Sequence, residues 1–196
     1  MPSPLKTVIC AAVTAVLLSA FSTNASAGEL TGHVTVAGAP ADETIVVWID
    51  GPVAAAPAPK HAVITQSGIR FSPTFLVVVA GQTVDMPNED NVAHNVYSMS
   101  STRKFNLGVY EKGQSRSVTF EKPGAVDVSC WLHKRMNAAI LVVPNRFFAR
   151  VIGGQYRITG VPPGTYRLVA TRPGAPQAVK TVVVGAGNPP GVDFNL

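Results

Sequence analysis

Cysteine is almost missing from this chain. Only two occur in 196 residues, Cys10 and Cys130, and Cys10 lies inside an apolar N-terminal run that reads as a removable leader. One thiol then remains, which excludes an internal disulfide framework and leaves a metal ligand, an intermolecular bridge or a free thiol. Helical signal is missing too, since no window carries an amphipathic 3.6-residue period of useful length. Charged residues make up 14% of the chain and aromatics 7%. There is no long basic run and no pattern of stacking aromatics, so the net charge of +5 does not point to nucleic acid. After the leader no apolar run approaches the roughly 20 residues of a membrane span.

The N-terminus has three parts. Residues 1–6 are short and basic, 7–21 are almost wholly apolar, and Ala25-Ser26-Ala27 supplies a small-residue cleavage pattern. Together they predict a signal peptide over 1–27 and a periplasmic or secreted protein that begins near Gly28. Cys10 sits within the apolar run and not at the cleavage point, which argues against a lipid-modified N-terminal cysteine. Cleavage leaves about 169 residues, enough for one large domain or two small ones. The remaining mild basic excess fits an acidic protein partner.

What fills the rest is β-structure. Apolar, β-branched stretches at 44–49, 75–80, 117–120, 125–128, 139–143, 166–170 and 181–184 are separated by turn residues, with 17 Gly and 16 Pro in the chain. The predicted class is all-β, a sandwich or barrel. Pro and Ala dominate 51–59, which reads as a linker, and a second boundary is expected near Pro144-Asn145.

Chemistry concentrates in one run, Cys130-Trp131-Leu132-His133-Lys134-Arg135-Met136. A thiolate, an imidazole and a thioether at this spacing can converge on one soft metal ion, and His94 can supply a second imidazole from a strand end. Two His, one Cys and a distant Met are the ligand set of a blue-copper site. Alone, Cys130 would more often be a small buried hydrophobe and His133 a surface histidine; with Met136 and His94 the weighting reverses. A Met ligand argues against structural zinc. A binuclear copper centre needs a second cysteine. A Cys–His nucleophile lacks any accompanying oxyanion-stabilising or acid pattern, so no enzyme activity is expected.

The inner segment resembles the cupredoxins. The resemblance rests on Phe71-Ser72-Pro73, on Val77-Val78-Val79-Ala80-Gly81-Gln82-Thr83-Val84, on Asn88-Glu89-Asp90, on His94-Asn95-Val96-Tyr97-Ser98 and on the run from Gly124 that contains the ligand loop. More narrowly it is similar to secreted plastocyanin-like proteins labelled methylamine utilization proteins, including Lys104-Phe105-Asn106-Leu107-Gly108. The resemblance implies a Greek-key β-sandwich over 61–144 holding one type 1 copper ion. It implies His94, Cys130 and His133 as the trigonal ligands, Met136 as the weak axial one, and Asn95 as the side chain that ties the two ligand-bearing segments together. Electrons would leave through His133, with Lys134 and Arg135 beside it, joined by Arg103 and Lys104 if the following loop folds back. Met86 and Met99 stand where such sequences carry aromatics and are expected in the core or the pocket lining; Trp131 is expected to pack beside the loop, Trp48 in another core, and His33 and His61 to play no part.

Two flanking pieces resemble parts of a carboxypeptidase-regulatory-like (transthyretin-like) sandwich. The first, 28–56, carries Gly32-His33-Val34-Thr35-Val36 and Ile45-Val46-Val47-Trp48-Ile49; the second, 145–196, carries Gln155-Tyr156-Arg157-Ile158 and Val161-Pro162-Pro163-Gly164-Thr165-Tyr166. One sandwich interrupted by an inserted domain is expected, because a domain's chain ends often lie close together. The whole predicts an exported single-electron carrier with a redox protein partner. The alternatives are a copper trafficking or storage module, and a scaffold with a vestigial loop.

Overall fold

A computed structural model describes residues 27–38, 41–53, 61–185 and 189–196; the leader and most of the linker expected at 51–59 lie outside them. No helix occurs among the described residues, and none is therefore long and apolar enough to cross a membrane. Strands are numbered along the chain. First come β1 (Gly28–Thr35) and β2 (Val46–Asp50). The inner segment holds β3 (His61–Val63), β4 (Thr65–Gln66), β5 (Phe71–Ser72), β6 (Phe75–Val79), β7 (Gln82–Pro87), β8 (His94–Ser98), β9 (Phe105–Tyr110), β10 (Ser115–Phe120), β11 (Gly124–Ser129) and β12 (Asn137–Val143). The last stretch holds β13 (Phe148–Arg150), β14 (Gln155–Val161), β15 (Gly164–Thr171), β16 (Ala178–Val184) and β17 (Phe194–Asn195). Every apolar run picked out in the sequence overlaps one of these strands. The first starts late: Asp42 accepts hydrogen bonds from the Thr44 amide and hydroxyl, which makes a turn where a strand was expected.

The inner strands form two sheets, β10-β7-β3 and β6-β12-β11-β8-β9, with a small β4-β5 hairpin. Val84, Met86, Val118 and Phe120 from the first meet Val96, Val126, Val128, Ile140 and Val142 from the second in one core. The flanks also pair with each other. β1 from the first flank lies between β14 and β17 of the second, and β2 lies between β13 and β15 in β13-β2-β15-β16. Leu30, Val47, Ile49, Tyr156, Ile158, Leu168 and Phe194 close a second core between these sheets. Gly32 is required there, because a Cβ would stand 2.1 Å from the Val192 carbonyl oxygen.

Strand alternation explains how the cores join. Along β2, Val47 and Ile49 point into the flank core while Val46 and Trp48 point the other way; along β12, Ala138, Ile140 and Val142 enter the inner core while Leu141 and Val143 face outward. The outward sets meet. Val46, Trp48, Phe75, Leu141, Val143 and Val169 make a third apolar cluster at the seam. Arg150 adds a polar stitch, donating to the carbonyls of Glu43 and Phe75 with its guanidinium 4.9 Å from the Phe75 ring centre. The chain leaves the inner segment at Asn145, whose amide donates to the carbonyls of Ile49 and Gly51 at 2.8 Å each and whose oxygen accepts from the Phe147 amide.

Candidate metal centre

β11 and β12 are adjacent antiparallel strands, paired from Gly124↔Val142 to Ser129↔Asn137. The loop between them therefore has Cys130 at one foot, Met136 at the other and His133 in between. It closes on itself: the Cys130 amide donates to the Met136 carbonyl at 3.1 Å, and the Met136 amide to the His133 carbonyl at 2.9 Å. β8 brings in His94, which opposes Tyr110 on β9.

Three of the four predicted ligand residues converge. One donor atom each from His94, Cys130 and His133 lies within 4.8 Å of the others. The two Nδ1 atoms are 3.1 Å apart and Cys130 Sγ is 3.7 Å from His133 Nδ1. An ion held at about 2.0 Å by nitrogen and 2.3 Å by sulfur fits the separations of 3.1 and 3.7 Å, since each of these two is shorter than the sum of its two bonds. His94 and Cys130 are buried and His133 is partly exposed, so one edge of the site reaches solvent. Met136 is also buried, as a residue of the inner core, where its backbone fixes the loop.

The surroundings of His94 are polar and highly connected. Its Nε2 lies 2.7 Å from Asp90 Oδ2. Asp90 also accepts the Gly68 and Ile69 amides at 2.6 and 2.9 Å. Both donors sit at positive φ, +63° for Gly68 and +57° for Ile69. Successive amides turned this way form a small anion-binding concavity. For a β-branched residue this conformation is strained by about 1–3 kcal/mol. Burial pushes the Asp90 carboxyl up, but the Ile69 amide, His94 and the Gly68 amide together outweigh it and hold the group below its usual range. With a carboxylate oxygen as the acceptor, Nε2 is the nitrogen of His94 that faces away from the other donors and serves as its hydrogen-bond donor. The Nδ1 lone pair of His94 is left facing the other donors.

Behind this lies a second set of bonds. Asn88 accepts the Asp90 amide and donates to the carbonyls of Val92 and Tyr110. Gln66 donates to the Tyr110 hydroxyl at 2.6 Å, and that hydroxyl donates to the Met86 carbonyl. Burial pushes the Tyr110 phenol up to about 12, so it stays protonated as this donor. Sequence reading missed all of these residues except as strings of resemblance. The available signal was Asp90 four positions before His94.

Some expectations are corrected and others agree with the structure. The Asn95 side chain donates to Asn106 on β9, and it is the Asn95 amide that reaches Cys130 Sγ at 3.5 Å, so the two ligand segments are tied through backbone. Met99 is 71% exposed and lines neither core nor pocket, whereas Met86 is fully buried. Trp131 is 54% exposed and stacks on Tyr97 with ring centres 5.6 Å apart. Arg103 and Lys104 precede Phe105, which opposes Ser98, so they stand at the end of β8 away from His94. His33 and His61 lie outside the centre, beside Asp193 and Asp85.

Comparison with known proteins bears on both sandwiches. A model of the carboxypeptidase regulatory-like domain matches residues 153–196. Amicyanin of Paracoccus versutus is 29% identical over 109 residues, which span 54% of this chain and 83% of that protein. Among solved structures, a reduced amicyanin mutant is 25% identical with a TM-score of 0.40, covering 52% of this chain and 99% of that one. A purple cupredoxin from Nitrosopumilus maritimus is 26% identical with a TM-score of 0.38, covering 41% and 98%. The chain is all-β, with an inner two-sheet sandwich in the part similar to amicyanin and a second sandwich whose C-terminal part, residues 153–196, matches the carboxypeptidase regulatory-like domain.

Proposed function

We propose that this protein is an exported carrier of single electrons, with one type 1 copper ion that His94, Cys130, His133 and Met136 would hold. The observation that carries the reading is the convergence of two imidazole Nδ1 atoms and one thiol sulfur at a single point. When bound, copper supplies one-electron cycling between Cu(I) and Cu(II). The chain supplies rigidity: three donors come from a tight loop and a strand end that are bonded to each other before any ion arrives, so little reorganises when charge changes. Such a closed set favours electron transfer over delivery, which calls for exchangeable ligands. We further propose the division into 28–56, 61–144 and 145–196, with the outer pieces forming one interrupted sandwich; the flank-to-flank pairing of β1 with β14 and of β2 with β15 supports it.

Electrons would pass at the partly exposed edge of His133. Around it stand exposed Trp131 and Leu132 with Lys134 and Arg135, a surface suited to a redox protein with an acidic rim. The deciding test is the visible and paramagnetic spectrum of the Cu(II) protein. An intense thiolate-to-copper band with narrow parallel hyperfine splitting is expected. Cys130→Ser abolishes that band, and Met136→Leu keeps it while raising the reduction potential. A colourless complex with ordinary tetragonal parameters would replace this reading with copper trafficking or storage.

A further inference from the structure

The centre has a feature that the ligand set alone does not require. Asp90 is a carboxylate enclosed from three sides, by two amides of the strained Gly68-Ile69 turn and by His94 Nε2, and its own amide is held by the fully buried Asn88. Its side chain is 13% exposed, and that of His94 is 0%. An anion placed so firmly, on the side of the imidazole opposite the donor atom, does two things to the ring. It fixes the proton on Nε2, and it makes Nδ1 a stronger donor by polarising the ring toward imidazolate.

We propose that Asp90 is a positioning residue of the metal centre: through Nε2 it selects the tautomer and orientation of His94 and lowers the reduction potential by favouring the more highly charged oxidised ion. This rests on the copper reading above and goes beyond its ligand set. The Gly68-Ile69 turn is part of the device. Its two amides hold the carboxylate oxygens in place beside the imidazole. The loop before β8 and the β4–β5 turn are thereby coupled to the potential although neither carries a ligand.

The test compares the full-length protein with Asp90→Asn, Asp90→Ala and Asp90→Glu. Long-range proton–nitrogen spectra of the metal-free wild type should show His94 protonated at Nε2, and Asp90→Ala should lose that single tautomer. Asp90→Ala should also weaken Cu(II) binding about 10–100-fold, the usual cost of removing such a partner. Asp90→Asn, neutral but still able to accept, should keep the thiolate band and raise the potential, and Asp90→Glu should return part of that rise. A merely structural role gives a different result: Asp90→Ala lowers thermal stability while tautomer, Cu(II) affinity and potential stay as in the wild type, and that outcome overturns the proposal. Failure of the copper reading is read separately, from a wild type that lacks the thiolate band. The tautomer and the Cu(II) affinity still decide the role of Asp90 in that case.

Discussion

The two sandwiches solve the same packing problem with different interiors. Among the described residues eight polar side chains are buried, and six of them, Gln66, Gln82, Asn88, His94, Asn95 and Ser98, belong to the inner sandwich, while the flank contributes Asn145 and Thr171. Burying a polar group costs stability unless it is bonded, so an interior that accumulates them needs a reason. Here four of the six sit on or beside the segment that carries His94. The flank core, filled by Leu, Ile, Val, Phe and Tyr, is built for cohesion alone. The difference teaches that polar bonding inside this chain is spent where orientation matters, and apolar packing where only cohesion does.

The strongest way to break the comparison is to remove the seam that joins its two halves. Trp48 is 5% exposed and packs among Phe75, Leu141, Val143 and Val169 without entering either main core. Trp48→Ala should cost about 3–5 kcal/mol, as for other large buried aromatics. Because β12 lines both the seam and the inner core, the loss should appear in thermal unfolding of the copper-loaded and the metal-free protein alike. Two separate transitions, with the metal-bearing one at its wild-type temperature, would mean that the sandwiches fold independently and the seam is only a contact.

A matched pair sharpens the contrast. Asn88 and Asn145 each make three side-chain hydrogen bonds, two donated to carbonyls and one accepted from an amide. Alanine at either position leaves buried carbonyls unpaired and should cost about 1–3 kcal/mol by denaturant titration. Only Asn88→Ala should also weaken Cu(II) binding, since its amide acceptor holds Asp90. Equal metal affinity in the two variants would show that the polar cluster supports the fold and not the site.

How much of this was legible in the sequence differs between the same two regions. The ligand loop was readable because Cys130, His133 and Met136 lie within seven positions, so the loop brings them together whatever surrounds it. Strand positions were readable from apolar runs and turn residues. The bonds that orient the ligands were not: Gln66 finds Tyr110 across 44 positions, and Asp90 finds the Gly68-Ile69 amides across 22 and 21, which is tertiary information. The doubly buried character of β2 was visible as the continuous run Ile45-Val46-Val47-Trp48-Ile49, but not what covers its second face. Met99 was misplaced for a related reason, since a residue just past a strand end takes its exposure from the turn that follows.

The smallest expected effect lies on the open face of the inner sandwich, where polarity serves neither orientation nor cohesion. Asp85 on β7 accepts from the Ser117 hydroxyl at 2.5 Å and lies 2.8 Å from His61 Nδ1. These two contacts, Ser117 first and His61 second, hold its carboxyl below the usual range against a small opposing effect of burial. A carboxyl lowered in the folded state binds protons more readily in the unfolded one, so its contribution is present above its unfolded pKa and is lost as pH falls through the folded value. Asp85→Asn should therefore make the acid limb of the stability curve shallower below about pH 4, the ordinary aspartate range. The change at neutral pH should be about 0–1 kcal/mol, as for other exposed pairs, and should shrink with salt. Metal binding and potential should not move. If they did, the polar ladder of β3, β7 and β10 would be coupled to the centre through the shared core, and the division between orienting and merely solvated polarity would have to be redrawn.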